Sequence, residues 1–342
     1  MNLSITVPTR IDLAGGTLDV YPLYLFEDGG LTLNAAIDVY VHVSVEERDD
    51  PRVVIRSEDM DIAEDIASLE TMKMGGKLDL IKKALRYYRP HRGRHRGPTR
   101  GLNITTRSEA PHGSGLGSSS ALLMALSWAL NEINQMGLSK EQIIELGANI
   151  EAQVIGIPTG KQDYFPPLFG GVRAIWFDVD GFHHEDLSTD NDLIEQLNER
   201  LILSFTNLSR FSGATNWTML KRYIEQEGDT VARIRRIKEV AIAMQDSLAR
   251  LDFDEFARLL SVEWENRKGL AEGLTTPQIN DMIAAAEEAG ARASKLCGAG
   301  GGGCMITYAE PERVPAVKQA LTLAGATVMP FRIVQKGIRM SR

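Results

Sequence analysis

The stretch Pro111-His-Gly-Ser-Gly-Leu-Gly-Ser-Ser-Ser-Ala121 limits what this chain can fold into more than any other. Glycines at 113, 115 and 117 run into serines at 118, 119 and 120, and an apolar run, Ala121-Leu-Leu-Met-Ala-Leu-Ser-Trp-Ala-Leu130, follows at once. Glycine lets the backbone approach a ligand closely, and a helix start presents unpaired N–H groups at the positive end of its dipole. A loop of that build cradles phosphate. The competing reading is an ordinary glycine turn closed by a serine N-cap.

At 342 residues the chain exceeds what one core usually supports, so two domains are expected. A net charge of −8 argues against a general nucleic-acid or anionic-membrane partner, though not against a local anion site. The two cysteines, Cys297 and Cys304, have no histidine nearby and fit neither a zinc site nor a disulfide scaffold. Met1 leads directly into a strand-like Leu3–Val7 without a signal-peptide pattern, and a cytoplasmic location is expected. No apolar run approaches the roughly 20 residues needed to span a bilayer.

Along the chain, residues 3–7 read as a strand that stops at Pro8, and a charged cluster of Arg10, Asp12 and Asp19 then surrounds Gly15-Gly16. Leu31–Val45 forms a long strand region in which Val39, Val41, Val43 and Val45 mark one buried face. Residues 78–88 read as a helix ended by Pro90, and the Arg/His-rich stretch 89–100 as a solvated connecting loop. Residues 101–106 read as a strand. Ser139-Lys-Glu-Gln142 is a capping box opening a helix on which Ile144, Ala148, Glu151 and Ile155 share one face. A carboxylate on an apolar stripe has to be paired or bound to a cation. Gly156–Asp163 is a Pro/Gly-shaped loop ending in Lys-Gln-Asp, and a strand is expected over 172–178.

The composition turns acidic near residue 180, which places a domain boundary at 182/183. Beyond it come a strand at 201–206, a Ser/Arg loop at Asn207–Ser212 and helices over 213–248 and 252–270. Thr276-Pro277 caps a helix running to Gly290, and a second glycine loop follows at Leu296–Cys304. A strand at Met305–Tyr308, a helix to Leu323 and a strand at 327–334 complete an α+β second domain.

Two glycine patterns mislead, and the cradle itself is not a P-loop. Gly298–Gly303 satisfies G-x-G-x-x-G, yet a strand follows where a dinucleotide fold requires a helix. Gly156–Lys161 is one residue short of a P-loop and continues into Gln162, and the 113–119 loop has no P-loop lysine.

Pro111-x-x-x-Gly-Leu-Gly-Ser-Ser-Ser-Ala121, Arg10 with Asp19, and Lys295–Cys304 together resemble the three motifs of the GHMP kinases. Within that superfamily the chain looks most like the sugar 1-kinases acting on D-glycero-D-manno-heptose 7-phosphate, with L-fucokinase as a cousin. The resembling stretches are Gly29–Asp38, Gly160–Asp163 with Phe169–Gly171, Ser209–Ser212 and Trp264–Lys268. Three departures lie where a sugar would bind: Gly15-Gly-Thr-Leu-Asp19 where that branch usually has Gly-Gly-Gly-Thr-Asp, Tyr164 after the loop aspartate, and Asp12.

The resemblance implies an α+β two-domain fold, a ribosomal-protein-like N-terminal α/β domain (1–182) and a ferredoxin-like C-terminal domain (183–342). It implies ATP and Mg²⁺ as cofactors, with Pro111, Gly113, Ser114, Gly115, Leu116, Gly117, Ser118, Ser119 and Ser120 around the nucleotide phosphates. Ser119 and Glu151 would hold the metal, Asp163 would serve as base and Arg10 would stabilise transferring charge. Asp19, Ser209, Arg210, Ser212, Gly300 and Gly301 would contact the acceptor. The implied partner is a small-molecule sugar or sugar phosphate, with no nucleic acid or membrane, and with room for a homodimer. Other acceptors (fucose, galactose, a mevalonate-type alcohol) and a non-catalytic sensor of the same fold remain as alternatives.

Overall fold

The computed structural model describes residues 2–88, 100–189, 191–208 and 212–342. The chain opens with β1 (Asn2–Ala14), a short α1 (Leu23–Phe26) and the long β2 (Gly30–Glu47), then the hairpin β3 (Val53–Ser57) and β4 (Ile62–Ile66). Helix α2 (Asp79–Tyr88), β5 (Leu102–Ser108), α3 (Ser118–Ile133) and α4 (Lys140–Ile155) follow. A 3₁₀ turn at Gln162–Tyr164 leads through α5 (Phe165–Phe169) to β6 (Val172–Asp178) and β7 (Gly181–Asp186). Next come α6 (Asn191–Arg200), β8 (Leu201–Phe205), α7 (Ser212–Ile224), α8 (Thr230–Ala249) and α9 (Phe253–Arg267). The last part holds α10 (Pro277–Glu288), β9 (Ala291–Leu296), β10 (Cys304–Ala309), α11 (Val314–Leu323), β11 (Thr327–Met329) and β12 (Arg339–Ser341).

Among the described residues the strands form two sheets. The first runs β12-β1-β2-β5-β3-β4, with β6 also paired to β2 and β7 to β6; the second is antiparallel, in the order β11-β8-β10-β9. The valine alternation in β2 behaves as its period requires, with Val41, Val43 and Val45 buried against Ile55, Leu85 and Leu126. Helix α3 is apolar nearly all round because the first sheet, α2 and α4 enclose it, burying Leu123, Met124, Leu126 and Leu130. A second core joins the two sheets through Leu13 and Leu33 on one side and Val240, Phe256, Leu260 and Tyr308 on the other.

Several expectations need correction. The first strand does not stop at Pro8: it continues to Ala14, with a register shift between Pro8 and Thr9 that absorbs the missing proline donor. The strand read at 327–334 ends at Met329, and Ile333 instead bridges to Ile37 of the first sheet. The boundary at 182/183 falls inside β7, which pairs with β6 along its whole length. The Arg/His-rich stretch lies outside the described residues from 89 to 99. No helix among the described residues is long and apolar enough to cross a membrane.

Candidate active site

The glycine-serine loop does start a helix, though not through a serine N-cap. Gly117 is the N-cap of α3, at φ +73°, and no side chain caps the helix. The contrast with α4 is direct: there Ser139 and Gln142 form the reciprocal capping box. Ser118, Ser119 and Ser120 lie inside α3, so the first-turn N–H groups have no side-chain acceptor, as a phosphate site requires.

Two close approaches around this loop favour glycine, which also has positive φ at both positions. A Cβ on Gly117 would stand 3.2 Å from Cγ of Asp163, and one on Gly115 would stand 2.7 Å from the carbonyl oxygen of Cys297. The first sets the loop-borne carboxylate against the start of α3; the second packs the two glycine loops together. A backbone bond holds that packing, since the Cys304 N–H donates to the Ser114 carbonyl (2.6 Å), while the Arg10 N–H ties the cradle to β1 through the Leu116 carbonyl (3.1 Å).

A cavity of about 510 Å³ opens beside the loop. It is lined by Gly113, Ser114, Gly115, Gly117 and Ser118–Ser120 from the cradle, and by Arg10, Asp19, Glu151 and Asp163. These residues come from β1, the turn after it, α3, α4 and the 3₁₀ turn, and only the fold brings them together. Arg10 Nε donates to Asp163 Oδ1 at 2.7 Å, and Arg10 Nη1 donates to the Gly115 carbonyl at 2.5 Å. One guanidinium thus fixes both the carboxylate and the cradle. Burial opposes the Arg10 charge, but Asp163 and then Asp12 outweigh it and the guanidinium pKa is raised.

Asp19 is buried, and its Oδ2 accepts the Gln162 N–H at 2.9 Å. Burial pushes its carboxyl up to about 6, with the Gln162 bond pulling the other way. Glu151 is buried too; its Oε2 accepts from Ser120 Oγ (3.1 Å) and from the Tyr164 hydroxyl. Burial raises its pKa, and the Tyr164 bond partly offsets that. Ser119 lies exposed at the mouth of the same cavity, so the serine that touches Glu151 is the one after it.

One buried carboxylate with two or three hydroxyls is an oxygen donor set, which suits a hard dication shared with phosphates. Among the described residues no cluster of three or more His, Cys, Asp or Glu could hold a metal by itself.

The structure does not bring every expected residue into the cavity. Gly300 and Gly301 turn instead toward Leu274, whose carbonyl accepts the Gly301 N–H at 2.7 Å; Gly298 and Ala299 line the cavity. Pro111 and Leu116 stand behind the loop, outside the lining. Ser209 and Arg210 lie outside the described residues, and so does the side chain of Ser212.

Thr17, Gln162, Asn216 and Arg267 line the cavity without having been assigned a role. Arg267 is fully buried: Nε donates to Glu263 Oε1 (2.9 Å) and Nη2 to the Gly16 carbonyl (2.6 Å). The pair Glu263–Arg267 is visible in the sequence at i,i+4 spacing, but that pattern normally marks a solvated helix face. Lys295 completes the group, with Nζ 3.0 Å from Asp12 Oδ1 and 3.6 Å from Glu263 Oε2.

Comparison with known proteins identifies the family. The family model for the GHMP kinases N terminal domain matches residues 79–171, and that for GHMP kinases C terminal matches 244–327. The chain is 29% identical to the D-glycero-alpha-D-manno-heptose 7-phosphate kinase of Campylobacter jejuni, covering 98% of this chain and 97% of that one. It is 26% identical to a mevalonate kinase of Thermococcus onnurineus, covering 99% and 98%. Among solved structures, a D-glycero-D-manno-heptose 1-phosphate kinase from Bacteroides thetaiotaomicron superposes with a TM-score of 0.79 at 29% identity, covering 99% of both chains.

Proposed function

The chain belongs to the GHMP kinases, phosphotransferases with an alcohol group as acceptor that use ATP as donor, and from that membership we propose that its acceptor is a sugar phosphate, phosphorylated at the anomeric hydroxyl. One observation carries this reading: Arg10 clamps Asp163 against the uncapped start of α3, inside a cavity that also holds Asp19 and Glu151. The full-length likeness to heptose phosphate kinases supports a sugar phosphate over other alcohols.

Phosphoryl transfer depends on positioning and charge stabilisation more than on covalent work by the protein. The backbone N–H groups of 113–119 and the first turn of α3 bind the nucleotide phosphates. Asp163 accepts the proton of the attacking hydroxyl. Arg10, already paired to that carboxylate, holds it at the angle the hydroxyl needs and offsets charge on the transferring group. Asp19 accepts hydrogen bonds from sugar hydroxyls, and the Ser209–Ser212 loop takes the far end of the acceptor. Ser119 and Glu151 would hold Mg²⁺, which would neutralise charge on the donor phosphates. The Tyr164 hydroxyl and Ser120 aim the Glu151 carboxylate.

A coupled assay of ADP release across heptose and hexose phosphates, free sugars and mevalonate tests the reading. Release that depends on a sugar phosphate is expected. Turnover of mevalonate or a free sugar alone would overturn the acceptor class and leave the family intact.

A further inference from the structure

The turn after β1 carries a backbone feature that phosphate transfer does not itself require. Thr17 sits at φ +80°, and among the described non-glycine residues with positive φ it is the one that is β-branched. In that region a β-branched side chain is a true steric outlier, and such residues persist only where the surroundings force them.

The surroundings here are identifiable. Arg267 Nη2 holds the Gly16 carbonyl at 2.6 Å, and Nη1 donates to Thr17 Oγ1 at 3.4 Å. Thr17 Oγ1 in turn donates to Met219 Sδ at 3.9 Å. A Cβ on Gly16 would stand 2.6 Å from Arg267 Nη2, so the guanidinium fills the space on that side of the turn. Two helices of the second half, α7 through Met219 and α9 through Arg267, therefore grip one residue of the first. That residue is buried, lines the cavity and lies two positions from Asp19.

We propose that Thr17, held in a left-handed conformation by Arg267, is a specificity-determining residue that limits the size and configuration of the acceptor able to reach Asp163. This rests on the kinase reading of the cavity. A glycine would adopt the same backbone without strain, so what the threonine adds is a side chain at the cavity wall, its hydroxyl joined to Arg267 and Met219. A wall of one or two carbon atoms discriminates between acceptors differing by a similar amount by about 10- to 200-fold.

The test compares wild type, Thr17→Gly and Thr17→Ser on heptose 7-phosphates, hexose 6-phosphates and their epimers, with ADP release and thermal unfolding as readouts. For Thr17→Gly the kcat/KM ratio of the best acceptor to the next should fall about tenfold or more. Thr17→Ser, which loses only the methyl group, should fall part of the way. The unfolding midpoint of Thr17→Gly should stay level or rise, and the KM for ATP should stay within a factor of two. A ratio within twofold of wild type in both variants, or a uniform loss on every acceptor, overturns the proposal and makes Thr17 a scaffold residue. If Thr17→Gly does not fold, the serine variant decides by the same ratio. If the wild type releases no ADP with any acceptor, the acceptor reading and this proposal fall together.

Discussion

At the scale of single residues, the site is a set of charges placed where water would ordinarily not be displaced. Asp163 is the sharpest case, because its carboxylate is fixed by a guanidinium but remains 24% exposed toward the cavity. Asp163→Asn should lower kcat by about 10²–10⁴-fold while leaving the circular dichroism spectrum nearly unchanged, with some loss in the unfolding midpoint because the buried Arg10 loses its charge partner. Asp19 predicts a pH effect. Its carboxyl ionises at about 6 in the folded protein against an ordinary 3.8. Between these values the folded state holds more proton than the unfolded one, so stability falls as pH rises from about 4 to about 6, and the cost persists above that at about 3 kcal/mol. Asp19→Asn should therefore raise the unfolding midpoint at pH 7.5, make little difference near pH 4, and increase the acceptor KM. Denaturation of both proteins at matched pH values checks the sign.

At the scale of elements, what the sequence discloses depends on how local the cause is. The glycine-to-helix transition at 117–118, the α4 capping box and the Thr276-Pro277 helix start are written in runs of a few residues, and each forms where the sequence places it. The β3–β4 hairpin and β9 carry no clear sequence signal because they are short, with charged or small residues breaking the alternation. Arg267 falls in the resembling stretch Trp264–Lys268, but its contact with Gly16 and Thr17 depends on α9 crossing the turn after β1, which no local pattern encodes. Where elements touch through glycine, substitution should be costly. Gly115→Ala would push against the Cys297 carbonyl and bear about 1–2 kcal/mol of left-handed strain. A several-fold rise in nucleotide Kd, measured by titration, is the expected outcome. Tyr164→Phe removes one of the two hydroxyls on Glu151. The Mg²⁺ concentration for half-maximal rate should then rise, with a smaller change in kcat at saturating Mg²⁺.

At the scale of the whole molecule, the two sheets are joined by ion pairs as well as by apolar packing. Asp12 on β1, Lys295 on β9, and Glu263 and Arg267 on α9 are all buried, so removing one partner strands the others without water. Lys295→Met should destabilise by about 3–5 kcal/mol, read from chemical denaturation. The first sheet also depends on distant chain: β12 pairs with β1 at Ser4–Thr6, and Val334 bonds with Ala36 and Gly171. A ribosome delivers β1 before any of the second sheet exists, and delivers its outer partner only after that sheet is made. Throughout that interval one edge of β1 carries unpaired backbone groups. An emerging chain in that state is open to strand pairing with its neighbours on a polysome. Slow translation, or an arrest before residue 339, leaves that edge open for longer.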